Sequence, residues 1–414
     1  FSGTDLQSGG IRSAGTLNIT DSSISNTSMA ISSTGNLDVD NLDIIDSGAG
    51  IYVTAGSATI DNLNVVNLSM GLHVEDGVSG YLTGMTGEEN VLAIDAGDSS
   101  NFPFQDISLG AERLLQAWNS GDISVSNAQI NGSFDSERAA IDIVSDAEIT
   151  FTDISLTNVT HGIDITGAGD YTFNNLVITA SGIGIQASGD LSLDINTMAM
   201  EVEQAGMLLS EIQGEFTDST INISAGGDNG VQILFGDYDF DNMEINKPYN
   251  SQEHNSIGMH VWLANSITVS NQMKISGFAT GLRLEDGKMT IDDLTTELSE
   301  DICIDLINGE LIITGSLSTN AATMGITLGE GSTIVVASWA SEYHTDGINI
   351  GQSSIASIRA WTAFNTATDD DEAHASVVSM LHSERMPSAK APPSILKIPA
   401  AQPSTTLTPA KKRP

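Results

Sequence analysis

Two aspartates occupy the same position in two similar segments, Asp142 in "AIDIV" and Asp164 in "GIDIT". Carboxylates held close together can share a proton, bind a cation or act as a glycosidase pair, which in retaining enzymes is about 5–5.5 Å apart. Arg138 and His161 flank the aspartates in sequence. We therefore predict Asp142, Asp164 and His161 as candidate catalytic residues, and the two aspartates as a candidate calcium site. The simpler alternative is two solvated aspartates on an acidic surface.

A second polar set recurs at the equivalent position of later segments. It contains Gln232, His260, Arg283 and Asp305, with Trp262 two residues after the histidine. An amide, an imidazole, a guanidinium and a carboxylate in a line predict a ligand-binding surface, for example for a sugar acid. The simpler alternative is that Arg283 and Asp305 pair with each other across neighbouring strands.

The segments that carry both sets belong to a repeat that runs along most of the chain. Units begin at a boundary residue, usually glycine, and most are 20 to 22 residues long. Within a unit the hydrophobic residues alternate, as in Ile149 and Phe151 or Tyr171 and Phe173. A period of two residues indicates strands with one buried face. The one segment with helix-like spacing is "GAERLLQAW", residues 110–118.

Units this short cannot form independent cores, so each must stack on its neighbours. One coil per unit, with equivalent strands paired in parallel, predicts an all-β solenoid wound in the right-handed sense. The "GIxI"-like repeats resemble those of the right-handed parallel β-helix of pectate-lyase-like proteins, over roughly residues 5–360. We therefore expect a β-helix of about 15 to 16 coils over residues 1–362. This fold occurs in enzymes, tailspikes and surface proteins, so it leaves the activity open.

Stacking turns each position of the repeat into a column along the solenoid. Asparagine and aspartate tolerate left-handed turns and can hydrogen-bond from coil to coil. They predict a turn ladder of Asp21, Asn41, Asn62, Asn127, Asp153, Asn175, Ser219, Asn242, Asn271 and Asp293. The outward position of the "GIxI" strand, here named the outer column, varies most. It is predicted to contain Tyr52, His73, Asp142, Asp164, Gly184, Leu208, Gln232, His260, Arg283, Asp305, Thr327 and Asn349.

The resemblance implies where a ligand would lie. In β-helix enzymes of polysaccharides the substrate lies along one parallel sheet, and the longer segments 131–140 and 246–256 place insertions just before the two polar sets. The catalytic motifs of polygalacturonase-like, pectate-lyase-like and mannuronan-epimerase-like proteins are absent from the sequence. We expect a structural or adhesive β-helix that contacts polysaccharides or cell-surface glycans. The alternative is a polysaccharide lyase or glycoside hydrolase that uses Asp142 and Asp164.

Composition restricts the class of partner. The chain has 54 acidic and 14 basic residues, a formal net charge of -40. Nucleic acids and anionic membranes attract clustered lysine and arginine, so we expect neither as a partner. No stretch approaches the about 18 apolar residues of a membrane span. Such acidity suits a protein kept soluble among divalent cations, which predicts an extracellular or cell-surface location, with calcium as the one cofactor considered.

The end of the chain has a different composition. Residues 377–414 contain seven of the nine prolines and six of the 14 basic residues, but one acid. Because proline breaks ladder hydrogen bonds, we predict a basic, disordered tail that follows an acidic end region at 363–376. The tail is interpreted as a stalk to a further domain or as a translation artefact. The first residues resemble the second half of a repeat unit, which predicts missing flanking sequence.

Overall fold

The computed structural model describes residues 2–3, 10–75, 77–97, 102–118, 121–132, 138–248, 255–320, 323–342, 346–365 and 374–378. Its strands are β1 (Ser2–Gly3), β2 (Ile11–Ser13), β3 (Leu17–Ser25), β4 (Met29–Ser33), β5 (Leu37–Val53), β6 (Ser57–Val74), β7 (Ser79–Ala96), β8 (Pro103–Trp118), β9 (Ile123–Asn131), β10 (Ala139–Ser145), β11 (Glu148–Val159), β12 (His161–Gly167), β13 (Asp170–Ala180), β14 (Ile183–Ser188), β15 (Ser192–Val202), β16 (Ala205–Ser210), β17 (Gln213–Ile223), β18 (Asn229–Leu234), β19 (Asp237–Asn246), β20 (Ile257–Trp262), β21 (Ser266–Ser276), β22 (Thr280–Glu285), β23 (Lys288–Glu297), β24 (Ile302–Ile307), β25 (Glu310–Asn320), β26 (Met324–Leu328), β27 (Thr333–Glu342), β28 (Asp346–Ile350), β29 (Ile355–Asn365) and β30 (His374–Val378).

Each coil contributes a long strand, which bends at a corner, and a short strand that follows it. Long strands pair with long strands in parallel, as in β9, β11 and β13, and short strands with short strands, as in β10, β12 and β14. In each of β5 to β8 the long and the short strand form one continuous strand. The result is a parallel β-helix of about 15 turns, which confirms the predicted fold.

The helix-like segment is a strand. Residues 110–118 form the second part of β8, where Leu115 pairs in register with Ile94 on one side and Ile141 on the other. The predicted all-β fold therefore includes this segment. Its leucines satisfy a helical spacing by chance, and stacking between two parallel strands overrides that local preference.

The core is a set of buried columns along the axis of the solenoid. The short strands contribute one aliphatic column: Ile141, Ile163, Ile185, Met207, Val231, Met259, Leu282, Ile304, Ile326 and Ile348. In the long strands, the rings of Phe151 and Phe173 stack with centroids 4.5 Å apart and planes 3° from parallel. Each fully buried side chain of this size contributes about 1.5–3 kcal/mol. Alternation with these inward residues directs the outer column away from the core.

The recurring glycine of the short strand is required by close backbone approach. A Cβ atom at Gly258 would lie 2.7 Å from the carbonyl oxygen of Gly281, and one at Gly281 would lie 2.6 Å from that of Cys303. Side chains at these positions would push neighbouring coils apart. The outer-column residues, His260 and Arg283, follow their glycines by two positions. The glycine therefore fixes the frame of the column.

The turn ladder is present at most of its predicted positions. Left-handed φ angles between 44° and 63° occur at Asp21, Asn41, Asn62, Asn127, Asp153, Asn175, Asn242 and Asn271. Between coils, Asn41 Nδ2 donates to Asp21 Oδ1 at 2.6 Å and Asn175 Nδ2 donates to Asp153 Oδ1 at 2.7 Å. These bonds satisfy polar groups at a corner that the sheet ladders leave unpaired.

Two predicted members of the ladder are wrong. Asp218, with a φ of 45°, takes the corner in place of Ser219 and accepts a hydrogen bond from Asn242 Nδ2 at 2.9 Å. Ser219 is buried at the start of the next face. Asp293 does not adopt a left-handed φ, and its Oδ1 accepts bonds from the backbone and hydroxyl of Ser316, both at 2.6 Å.

At the end of the described coils, β30 pairs with β29 in the antiparallel sense. The predicted acidic end region, 363–376, includes the end of β29 and the start of β30. The predicted tail lies outside the described residues beyond 378, as do 133–137 and 249–254 of the predicted insertions. In the part of the chain that the structure describes, no helix is long and apolar enough to cross a membrane.

Candidate functional site

The register of the short strands defines the outer column. From β5 to β28 it contains Tyr52, His73, Asp95, Gln116, Asp142, Asp164, Gln186, Leu208, Gln232, His260, Arg283, Asp305, Thr327 and Asn349. Asp95 and Gln116 are members that the sequence analysis missed. Gly184 was predicted in the column, but Gln186 takes the position. Gly184 is instead the close-approach glycine, since a Cβ there would lie 2.7 Å from the carbonyl oxygen of Gly206.

The first cluster is the acidic pair, Asp142 on β10 and Asp164 on β12. The two residues are in register on adjacent strands, so their backbones lie about 4.8 Å apart. Both side chains are half-buried. Burial, followed by the charge of Asp142, raises the pKa of Asp164, and His161 acts in the opposite direction. Asp164 is therefore biased toward its protonated form beside a second carboxyl group.

Basic groups flank the acidic pair. Arg113 on β8 donates from Nη1 to Gln116 Oε1 at 2.6 Å. Burial and the nearby Arg138 lower the pKa of Arg113, while Asp142 is the largest of the influences that oppose the shift. His161 accepts the backbone N–H of Ile183 at Nδ1, at 3.2 Å, so a neutral His161 carries its proton on Nε2.

The structure thus brings the predicted Asp142, Asp164 and His161 into one neighbourhood, together with Arg113, which sequence reasoning missed. Arg113 was hidden in the segment with helix-like spacing. The exposed Trp118, on the same segment, is in register with Val144, two residues after Asp142. Two carboxyl groups, guanidinium groups and an aromatic ring therefore occur together.

The second cluster is the charged cluster, here defined as Gln232, His260, Arg283, Glu285 and Asp305. Arg283 Nε donates to Asp305 Oδ2 at 3.0 Å, which confirms the predicted pairing across strands. Asp305 is only 7% exposed. Burial raises the pKa of Asp305, and the Arg283 guanidinium opposes that shift. The pair is thus a largely desolvated one, whose partners depend on each other.

His260 is the other anchored group of the charged cluster. Its Nε2 lies 3.2 Å from Glu285 Oε1, and its ring stacks on Trp262 with centroids 5.3 Å apart. Burial lowers the pKa of His260, with Glu285 as the largest opposing influence. Gln232 is in register with His260 on the preceding short strand. Glu285 was not predicted, because it follows the outer column by two residues.

An apolar corner borders the charged cluster. It consists of Phe235, Trp262, Leu263 and Ile307, each 38–41% exposed, with Glu285 in register between Trp262 and Ile307. Phe235 and Leu263 adopt left-handed φ angles of 60° and 54°. Such angles are uncommon for bulky residues and cost about 1–3 kcal/mol each. Here strain is combined with exposed apolar surface, which is the combination expected of a binding surface.

The exposed tryptophans of the two clusters are structurally equivalent. Trp118 and Trp262 occupy one column, linked in register through Val144, Thr166, Ser188, Ser210 and Leu234. Six strand steps separate them, or about 30 Å. Trp118 is 51% exposed and Trp262 is 40% exposed. Each cluster therefore has one aromatic platform at the same relative position.

Two grooves lie elsewhere on the surface of the described residues. A groove of about 780 Å³ is lined by Asn64, Thr86, Ser108, Gln129 and Ser155, among others, and a smaller one of about 280 Å³ by Thr220, Glu244 and Lys274, among others. Both lie on the second half of the long strands. Neither of these two grooves is lined by residues of the acidic pair or the charged cluster.

A calcium site on the acidic pair remains a prediction. Among the described residues, no group of three or more His, Cys, Asp and Glu side chains is arranged to hold a metal ion. Two carboxyl groups supply fewer oxygens than the six to eight that calcium takes. Comparisons of the chain with family models, with curated proteins and with solved structures found no match.

Proposed function

We propose that this protein is an extracellular or cell-surface β-helix that binds a neutral glycan across the charged cluster and the apolar corner. One observation carries the proposal. The exposed ring of Trp262 stacks on His260, which is held by Glu285, beside the hydrogen-bonded Arg283–Asp305 pair. Trp262 is thereby an aromatic surface with fixed polar groups around it.

This combination matches the chemistry of a pyranose ring. A sugar presents an apolar face, which stacks on an aromatic ring, and an edge of hydroxyl groups, which needs oriented donors and acceptors. Trp262 supplies the apolar platform, while Glu285 and Gln232 supply an acceptor carboxylate and an amide. Groups held by existing hydrogen bonds lose little conformational entropy when a ligand binds.

The charges favour a neutral sugar over a sugar acid. Arg283 is already paired with Asp305, and burial lowers the pKa of His260, which leaves its ring mostly uncharged near neutral pH. Glu285 then leaves the cluster with a negative balance. The whole chain has a formal net charge of -40, which repels acidic polysaccharides at long range.

The scaffold suits a structural or adhesive role. Identical coils place side chains at a constant spacing along an extended face, so a linear polymer can contact several coils at once. The acidic composition supports the proposed location, because carboxylates confer solubility at high ionic strength.

A second candidate function is hydrolysis or elimination of a polysaccharide at the acidic pair. Its support is the position of Asp164 in register with Asp142, where burial raises the pKa of Asp164 in the direction that suits a general acid. The strand spacing of about 4.8 Å is close to the separation in retaining glycosidases. Arg113 and Arg138 provide positive charge nearby.

The binding proposal is tested with a panel of neutral and acidic polysaccharides. We expect saturable binding of a neutral glycan that is lost in Trp262→Ala, at least tenfold, and retained in Trp118→Ala. The Trp118 variant is a matched control because it removes an exposed ring from the same column. If Trp118→Ala loses binding and Trp262→Ala does not, the site lies over the acidic pair and the proposal is overturned.

The second candidate is tested by counting new reducing or unsaturated chain ends in the same panel. Turnover that disappears in both Asp142→Asn and Asp164→Asn would establish catalysis at the acidic pair. Asp239→Asn serves as the control, because it removes one outward carboxyl group from a long strand. Turnover absent from the native protein across the panel would eliminate the enzyme candidate.

A further inference from the structure

A third polar group lies in the outer column, at the opposite side of the acidic pair from the charged cluster. Tyr52, His73 and Asp95 follow one another on β5, β6 and β7, and Glu75 lies just after β6. Eight strand steps, or about 40 Å, separate His73 from His260. This tyrosine–histidine group takes no part in the proposed glycan site and is independent of it.

The imidazole of His73 is fixed on two sides. Its Nδ1 lies 2.7 Å from Asp95 Oδ2, and the Tyr52 ring stacks on it with centroids 4.0 Å apart and planes 12° from parallel. Because a carboxylate accepts and cannot donate, Nδ1 carries a proton. In the neutral ring, the lone pair is then at Nε2.

His73 Nε2 is buried and has no hydrogen-bond partner. The whole residue is only 8% exposed. Glu75 Oε1 lies 3.6 Å from Nε2, which is too far for a hydrogen bond, and it accepts the Tyr52 hydroxyl at 3.1 Å. A buried acceptor without a partner costs about 1–3 kcal/mol, so a missing ligand between these atoms would account for the arrangement.

We propose that His73 Nε2 and Glu75 Oε1 bind one transition-metal cation of the zinc class, with the Tyr52 hydroxyl beside it. Two zinc bonds of about 2.1 Å span a gap of this size at an angle of about 120°, close to tetrahedral geometry. The anchoring of Nδ1 by Asp95 is the outer-shell arrangement that orients metal-binding imidazoles. Water molecules complete the coordination.

The donor set selects the class of metal. Calcium and magnesium take oxygen ligands, whereas imidazole nitrogen suits zinc, cobalt, nickel and copper. Two protein ligands are fewer than the three or four of catalytic and structural zinc sites, so binding in the micromolar range is expected. Glu75 is 42% exposed at its side chain, which gives the ion a path to the buried nitrogen.

The test uses the full-length protein, titrated with zinc in excess calcium so that exposed carboxylates are occupied. We expect one saturable zinc site by calorimetry and a rise in Tm of about 2–4 °C at saturating zinc. Cobalt should give a visible absorption band from the same site.

Variants separate this site from the general acidity of the chain. Glu75→Gln and His73→Gln should weaken zinc binding at least tenfold, and Asp95→Asn by about 10–100-fold. Glu310→Gln is the matched control, because Glu310 is 44% exposed at its side chain and also lies in an ion pair. It should bind zinc as the native protein does.

Two results would overturn the metal proposal. One is no saturable zinc binding in the native protein, in which case the gap is bridged by a proton on His73. The other is undiminished zinc binding in Glu75→Gln. Because the Glu75 side chain is 42% exposed, this variant is expected to fold. If His73→Gln does not fold, Glu75→Gln alone decides the outcome.

Discussion

The acidic pair and the charged cluster occupy the same column of the same solenoid, yet their charges are arranged in opposite ways. Asp142 and Asp164 stack like on like, and the repulsion helps to raise the pKa of Asp164. Arg283 and Asp305 stack as opposite charges with a hydrogen bond of 3.0 Å. Parallel stacking therefore holds residues in register close together whatever their charges. Whether that contact stabilises the fold depends on which residue types occupy successive coils.

This difference has a functional meaning. Like charges held at a fixed spacing retain unsatisfied electrostatic energy, which a proton, a cation or a substrate can relieve. Opposite charges satisfy each other and become a rigid frame for neighbouring groups such as His260 and Trp262. The charged cluster is thus the better organised of the two surfaces, and the acidic pair keeps a like-charge contact.

The largest effect on stability is expected from a substitution in the charged cluster. Asp305→Asn should lower the free energy of unfolding by about 2 kcal/mol, because Arg283 loses its buried charged partner. Urea denaturation measures the change. A loss below about 0.5 kcal/mol would show that the pair does not stabilise the coils.

The opposite sign is expected at the acidic pair. Asp164→Asn should raise the free energy of unfolding by about 0.5–1 kcal/mol at neutral pH, since it removes a like-charge contact between strands. A carboxyl group whose folded pKa is raised contributes stability that is complete below its unfolded pKa and is lost as pH rises through the folded pKa.

The gain from Asp164→Asn should therefore vanish in acid, below the unfolded pKa of aspartate. Urea denaturation at several pH values measures this dependence. A gain that is the same at low and neutral pH would mean that packing, and not charge, explains the effect.

The anchoring of His260 can be read from its titration. Its pKa, followed by NMR of the ring protons, should lie below the ordinary histidine value, and Glu285→Gln should lower it further because the opposing carboxylate is lost. Since the folded state disfavours this proton, His260 lowers stability as pH falls through the ordinary histidine range. An upward shift in Glu285→Gln would contradict the assigned contact.

The smallest effect on stability is expected at an exposed ion pair, Lys288 and Glu310. Lys288 Nζ and Glu310 Oε1 are 3.5 Å apart, but both side chains are about half exposed. Lys288→Gln should change the free energy of unfolding by less than about 0.5 kcal/mol. The same denaturation series that includes Asp305→Asn provides the measurement. An equal loss in both variants would show that burial does not distinguish the two pairs.

Sequence reasoning was sufficient for the coil and for much of the outer column. Hydrophobic alternation and recurrent glycines placed Asp142 beside Asp164, and His260, Arg283 and Asp305 on successive strands, because stacking converts sequence period directly into proximity. The error at Gly184 arose because "GIGIQAS" permits two frames of the repeat. Only the backbone approach to Gly206 selects the frame that exposes Gln186.

Other parts of the sites were beyond the sequence. Asp95 was missed because its segment, "VLAIDAG", lacks the glycine that marks the frame. The contact from Glu285 to His260 depends on the direction of a flexible side chain two residues outside the column. The stack of Tyr52 on His73 likewise depends on rotamers, which a repeat pattern does not encode.

The stacking of whole coils determines how the distance between the two clusters can change. Because successive coils pair in parallel and in register, each coil adds one step of about 4.8 Å along the axis of the solenoid. The register of Ile183 with Ala205 defines one such coil, residues 183–204, which lies between the two clusters. Loss or duplication of this coil would move Trp118 relative to Trp262 by about 4.8 Å and leave each cluster intact. Distance between sites can thus vary in this architecture independently of the chemistry of each site.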